Sequence, residues 1–190
     1  KIPKGWETKG LADLVIPKKG KPITKKIAIE GEIPVVAGGL APAYYHNTWN
    51  VNAPVVTISA SGANAGFVRL YGEDIWASDC SYISEEESPS PYVWYVFLKI
   101  NQEKIYYMQQ GAAQPHVYPS DIMRLKLACP QLDDLLRQVN AMITPMFEKI
   151  SMNDRENKVL AELRDTLLPK LISGELRVPD AEKFLEEAGV

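Results

Sequence analysis

The 190 residues carry 21 Lys+Arg against 24 Asp+Glu, with 46% hydrophobic and 24% charged residues. This is the composition of a globular chain that buries a core, long enough for one ordinary domain with an extension or for two small ones. The longest apolar run, Tyr92 to Leu98, is far too short to span a bilayer, and Cys80 and Cys129 are too few for a disulfide framework or a thiolate metal cluster.

Charge is unevenly placed. Residues 1–130 carry 13 Lys+Arg and 12 Asp+Glu, whereas residues 131–190 carry 8 and 12. The first 26 residues hold eight lysines against only Glu7 and Asp13. A basic head with an acidic tail suits a head that meets a polyanion and a tail that meets protein. The N-terminus has no apolar stretch of the kind a signal peptide needs. It starts at Lys1 without Met, as a processed chain or a piece of a longer one does.

In chain order, Gly5-Trp6-Glu7 leads into Leu11 to Val15, a short helix or strand. Pro17 to Lys26 (PKKGKPITKK) is an exposed Pro/Gly/Lys loop with five lysines. Ile33 to Val36 reads as a strand entering a turn at Gly38-Gly39. Tyr44 to Asn47 is a polar-aromatic cluster in loop or edge structure. Pro54 to Ser59 is the clearest strand, β-branched and bounded by Pro and Gly. It passes through a Gly/Ser/Asn loop (ASGANAG) and returns as a second strand over Gly66 to Leu70. Ile75 to Ala77 and Cys80 to Ile83 read as two further strands, and Glu85 to Pro89 as an exposed acidic turn.

Ser90-Pro91 opens one helix through Gln109, apolar on nearly every face of its first two turns and therefore buried. Gly111 to His116 breaks it. A helical turn from Pro119 and a strand at Leu125 to Leu127 end the first domain at Pro130, giving expected domains of 1–130 and 131–190. Gln131 to Ile143 is a helix with Leu132, Leu135, Leu136, Val139, Met142 and Ile143 on one face. Thr144 then caps a long helix with Pro145 at its first position. Along it Met146, Ile150, Asn153, Asn157, Leu160, Arg164, Leu167 and Leu171 keep the four-three spacing of a coiled-coil seam. It ends near Ser173-Gly174, with a kink expected at Pro169, and Asp180 caps a last short helix. Pro145 to Ile172 spans roughly 40 Å, near one turn of B-DNA at about 34–36 Å. Two asparagines on the seam lower stability but fix register and partner.

The chemistry of an active site is missing. Gly20-Lys21 lacks the upstream glycine of a P-loop, and GANAG returns to a strand where a dinucleotide fingerprint enters a helix. His46 and His116 have no Cys/His spacing for zinc. Ser59 and Ser61 have no histidine base placed beside them by the sequence, and serines next to glycine usually form turns. The expectation is a protein that binds and does not catalyse. Two other readings are a coiled-coil scaffold without a DNA role and an enzyme using Ser61 or His116.

Five stretches, in this order and spacing, carry a resemblance. They are the Gly-Trp-Glu opening, Val55 to Val68 (VVTISASGANAGFV), Gly111 to Ile122 (GAAQPHVYPSDI), the basic-apolar strand ending at Pro130, and Asn157 to Leu176 (NKVLAELRDTLLPKLISGEL). The chain resembles one half of the specificity subunit of type I restriction–modification enzymes: one target recognition domain and one coiled-coil spacer. That family's pattern repeats both parts twice, so a single copy suits a fragment or a half-subunit that dimerises. The implied fold is α+β: a globular recognition domain with a small twisted, mostly antiparallel sheet and packed helices, followed by a long coiled-coil-type helix.

The resemblance also implies a non-catalytic component of a prokaryotic, cytoplasmic complex, with no membrane association. Its expected partners are double-stranded DNA, a DNA adenine methyltransferase (modification) subunit, a restriction subunit and a second spacer helix. No cofactor is expected in this chain; S-adenosylmethionine, ATP and Mg are expected on partner subunits. Lys18, Lys19, Lys21, Lys25 and Lys26 become candidates for phosphate contacts, which position without specifying sequence. Asn47, Asn64, Gln110 and Gln114 are candidates for base reading, because an amide offers a paired donor and acceptor. Tyr44, Tyr45, His46, Ser61, Arg69 and His116 follow as further DNA-contacting candidates.

Overall fold

The computed structural model describes residues 4–111, 113–130, 133–177 and 183. Among these the order is β1 (Trp6–Gly10), a 3₁₀ turn (Leu11–Asp13), β2 (Lys18–Lys19), β3 (Ile33–Val36), β4 (Tyr44–His46) and β5 (Val55–Ser59). There follow β6 (Val68–Tyr71), β7 (Trp76–Ala77), β8 (Cys80–Ile83), α1 (Pro91–Ile100), α2 (Gln102–Tyr106), α3 (Pro119–Ile122), β9 (Lys126–Pro130) and α4 (Asp133–Ile172). Two compact units divide the chain, Lys1–Pro145 and Met146–Val190.

Strand β5 is the axis of the first unit. In the four-stranded antiparallel sheet β2-β8-β5-β6 it pairs with β6 through Val56↔Leu70 and with β8 through Val56↔Ile83. Every residue of β5 is buried, because both faces are covered. Val56 and Ile58 join a core with Trp94, Leu98, Ile105 and Ile122 from the helices. Val55 joins a second core with Val36, Tyr71, Ile75, Ala77 and Cys80. A strand buried on both faces favours a continuous β-branched run over polar alternation, which is how VVTIS reads.

The second core is closed by the sheet β4-β3-β7, whose β3–β7 pair is parallel (Val35↔Trp76). A third sheet, β1 with β9, ties the start of the unit to its end from Trp6↔Pro130 to Gly10↔Lys126. The expected α+β architecture is therefore present, with its strands distributed over three sheets. No helix among the described residues is long and apolar enough to cross a membrane.

Several local expectations are corrected. Leu11 to Val15, read as a short helix or strand, holds only a 3₁₀ turn over Leu11–Asp13, with strand β1 before it, and the single helix expected through Gln109 is two. Asn101 sits at the break: its Nδ2 donates to the Phe97 carbonyl at 2.8 Å, competing with the helical ladder. In α1 only the Trp94/Leu98 side is fully buried among the helical apolar residues, whereas Val96 and Ile100 face solvent. Trp94 satisfies its indole N–H on Ser88 Oγ at 2.7 Å, which lets so large a ring sit in the core. The acidic turn is not wholly solvated, because Glu87 folds inward.

The long helix starts earlier than its proline suggested. Pro145 lies inside the continuous α4, and Thr144 is helical, so it does not cap a new helix. A proline in a helix interior removes one backbone hydrogen bond and crowds the preceding turn. The amphipathic turns before it, where Leu136 packs on the core, are helical on their own pattern and carry the chain through. The end is as expected: Gly174 adopts φ +75° and donates to the Leu171 carbonyl at 3.2 Å. The expected cap at Asp180 lies outside the described residues.

Candidate nucleic-acid interface

The lysine segment is a loop fixed at both feet. At the near foot Gly20 N donates to Cys80 O (2.8 Å), Lys21 N to Ala77 O (2.9 Å) and Ile23 N to Ser78 Oγ (3.2 Å). Trp76 Nε1 donates to Lys21 O at 2.9 Å, and Tyr44 Oη to Ile23 O at 2.6 Å. At the far foot His46 Nδ1 lies 3.0 Å from Ile29 N and 3.1 Å from Ile29 O. No Cβ fits at Gly20, which lies on the Ala77 and Ser78 backbone, or at Gly31, which lies on His46 and Asn47. Between the feet, a helical turn from Thr24 to Ala28 raises Lys25, Lys26 and Ile27 into solvent.

The five lysines are not equivalent. Lys18 and Lys19 pair with β8 as strand β2 (Lys18↔Tyr82, Lys19↔Ser81). The Lys18 ammonium is 2.7 Å from Glu87 and 3.6 Å from Glu86. The Glu87 hydrogen bond and charge raise the Lys18 pKa above its ordinary value. Burial pushes the Glu87 carboxyl up, but its bonds to Lys18 and to the Ser84 hydroxyl and backbone outweigh that and hold it below its usual range. Lys19, Lys21, Lys25 and Lys26 are exposed and form no ion pair among the described residues.

The second cluster gathers the polar loops. Gln110 and His116 close a short hairpin through Gln110 N→His116 O (2.9 Å) and His116 N→Gln110 O (2.8 Å), leaving Gln114 exposed near its tip. The hairpin docks on the 60–62 loop through Val117 N→Ala60 O and Gly62 N→Pro115 O, both 3.0 Å. Ser61 donates its hydroxyl to Asp79, and Gly38 lies so close to the Ser61 carbonyl that no Cβ fits. His116 stacks on Tyr118 with ring centroids 5.9 Å apart. Asn64 is half-buried in the turn before β6. That turn is pinned by Gln109 Nε2→Ala65 O (2.8 Å) and Gln102 Nε2→Gly66 O (2.7 Å).

Both clusters meet on the β7–β8 link. Ala77 and Ser78 receive the lysine loop, and Asp79 receives Ser61 while its carbonyl accepts from Ala60 N at 3.1 Å. Asp79 was not among the sequence candidates, nor was Asp121, whose carboxylate accepts from Tyr118 N (3.0 Å) and Gln110 Nε2 (3.1 Å). An acid three residues after Tyr118 and at the start of a helix was the available sign, in the pattern of an N-terminal cap.

The remaining candidates occupy distinct settings. Tyr45 and Asn47 are exposed, whereas His46 is 5% exposed and packs edge-on against Trp76 at 5.1 Å. Buried and bound to Ile29, His46 holds the loop. Tyr44 does the same through Ile23. Arg69 donates to Leu40 O at 2.7 Å and lies 4.9 Å over the Tyr71 ring, so it braces the loop after β3. In α4 the seam residues Met146, Ile150, Asn153, Asn157, Leu160 and Arg164 are exposed, and Leu167 and Leu171 are half-buried.

Known proteins resemble this chain over nearly its whole length. The specificity subunit of the type I restriction enzyme MjaIX from Methanocaldococcus jannaschii is 27% identical over 205 residues, covering 94% of this chain and 46% of that protein. The HindI specificity subunit from Haemophilus influenzae is 23% identical over 199 residues, covering 92% of this chain and 42% of that protein. The chain thus spans less than half the length of these curated relatives. The crystal structure of a type I restriction–modification S subunit from M. genitalium shares the fold, with a TM-score of 0.70 and 20% identity over 98% of this chain and 49% of that one. The model of the type I restriction modification DNA specificity domain matches residues 3–162, most of the sequence, and the chain belongs to that family.

Proposed function

We propose that this chain reads one half-site of double-stranded DNA as the specificity component of a type I restriction–modification complex and does no chemistry itself. The observation that carries the proposal is the meeting, on the Ala77–Asp79 link, of a basic loop and the 60–62 loop on which the amide-bearing hairpin docks. Phosphate contacts fix register, and groups with paired donors and acceptors read base edges; here the basic loop is tied to this link directly and the amide hairpin through the 60–62 loop.

Lys19, Lys21, Lys25 and Lys26 supply the phosphate contacts. Gln110, Gln114, Asn47 and Asn64 supply amides for bases, with Ser61, His116 and Tyr45 beside them. Tyr44, His46 and Arg69 hold the loops, and Lys18 serves Glu87. The exposed seam of α4 pairs with a second spacer helix, from another copy or another half, and sets the distance between two half-sites. A DNA adenine methyltransferase subunit and a restriction subunit supply the chemistry, with S-adenosylmethionine, ATP and Mg bound there, in a prokaryotic cytoplasm.

Mapping N6-methyladenine on random-sequence plasmid DNA, after incubation with this chain, the modification subunit and S-adenosylmethionine, tests the proposal. Methyl groups confined to one short motif support it. Methylation that ignores sequence, or that is unchanged when the chain is left out, contradicts it.

A further inference from the structure

Asp121 is 3% exposed, yet its partners lie toward the loop surface. Its Oδ2 accepts from Tyr118 N at 3.0 Å. Its Oδ1 accepts from Gln110 Nε2 at 3.1 Å and faces Arg124 Nη1 at 3.7 Å. A carboxylate offers only acceptors, so Gln110 has to turn its NH₂ toward Asp121. The amide cannot flip, and its Oε1 and second N–H are left for solvent. The backbone of Gln110 is fixed as well, by its two bonds to His116.

Gln110 is exposed, and holding an exposed glutamine in one rotamer costs side-chain entropy. The hairpin is already closed by two backbone bonds, and Asp121 already has Tyr118 and Arg124. A reading amide, in contrast, gains from a fixed orientation, because a flipped amide presents donor and acceptor in the wrong order. The acceptor and donor left on Gln110 complement the N6 amino group and N7 of adenine in the major groove.

We infer that Asp121 is a positioning residue that locks the Gln110 amide to read one adenine of the target. This rests on the DNA recognition proposed above. Asp121 touches no base; it acts through Gln110. Asp121→Asn keeps the shape but adds a donor, so the Gln110 amide is no longer held to one orientation.

The test uses the chain assembled with its modification subunit. Its affinity is measured for the target duplex, for duplexes with each base pair replaced in turn, and for an unrelated duplex. Asp121→Asn and Gln110→Ala are each expected to lower discrimination about tenfold at the same single A·T position. Other positions and the unrelated duplex should be unaffected, and the double variant should be no worse than either single one. Discrimination that survives Asp121→Asn at every position, with only the melting temperature lowered, overturns the inference and leaves DNA reading intact. If Asp121→Asn does not fold, Asp121→Ser, whose shorter side chain withdraws the acceptor from the Gln110 amide, takes its place: loss at the A·T position lost in Gln110→Ala supports the assignment, and full discrimination there overturns it. A wild-type complex without sequence preference removes both this inference and the proposed function.

Discussion

The Lys18 ammonium lies 2.7 Å from a Glu87 carboxylate whose side chain is only 3% exposed. Glu87 also accepts from Ser84 N (2.8 Å) and Ser84 Oγ (2.7 Å), so the acidic turn is knotted to strand β2. The Glu87 pKa is lower in the folded chain than its ordinary value. Its contribution to stability is therefore complete above the unfolded carboxyl pKa, about 4.3, and is lost as pH falls through the lower folded value. The raised Lys18 pKa works in the opposite direction, contributing below the unfolded lysine pKa and fading as pH rises through the folded one. Glu87→Gln should lower the thermal midpoint at pH 7. The gap to wild type should close in acid below about pH 4. A gap independent of pH in thermal melts would contradict this account of the pair.

The same pairing sets Lys18 apart from Lys25 and Lys26, which form no ion pair among the described residues. Replacing Lys25 or Lys26 by Ala should reduce the slope of log K against log salt by about 0.9 for each phosphate that is no longer neutralised. Lys18→Ala should leave the slope unchanged and lower stability instead. Equal reductions in slope for all three, measured by DNA titration between low and moderate salt, would show that the Glu87 pair does not hold Lys18 back.

Gly31 packs on the backbone of His46 and Asn47, with no space for a methyl group. Gly31→Ala should cost about 1–3 kcal/mol in chemical denaturation, as overpacking against a fixed backbone does. It should also weaken non-specific DNA binding, by unseating the far foot of the lysine loop. Gly62 has open space around it but a φ of +82°. There Ala should cost only about 1 kcal/mol, through backbone conformation alone.

Gln114 stands exposed near the tip of the hairpin closed by Gln110 and His116. Gln114→Ala should narrow the affinity difference between target and non-target duplex while leaving non-specific binding nearly unchanged. Competition titration checks this, and an unchanged target preference would remove Gln114 from the reading set.

The seam of α4 leaves Met146 61%, Ile150 52% and Leu160 44% exposed in the single chain. Ile150→Glu combined with Leu160→Glu should abolish pairing with a second spacer helix in sedimentation experiments, because charges on a seam are buried only at high cost. Pairing that survives both changes would place the interface elsewhere.

Much of this organisation is legible in the residues, and the exceptions share a cause. Strand β5 announces itself by β-branched side chains, and the end of α4 by Gly174, because those signals are local. Pro145 misleads, since its local preference for a helix start yields to amphipathic turns on both sides that together make one helix. The inward turn of Glu87 and the commitment of Lys18 are invisible in sequence, because the two residues are far apart in the chain. Among the candidate interface residues, Lys21, Lys25, Lys26, Asn47 and Gln114 are readable as exposed polar groups outside the strands. What holds the polar loops, Asp79 on Ser61 and Asp121 on Gln110, depends on tertiary contacts that composition and periodicity do not encode.

Selection from random duplex DNA, using this chain with the modification subunit, tests sequence recognition most directly. The account predicts recovery of one short defined half-site, mirrored when two α4 helices pair, with binding that falls steeply as salt is raised. Salt-sensitive binding that enriches no sequence would contradict it, leaving a basic loop without a reader.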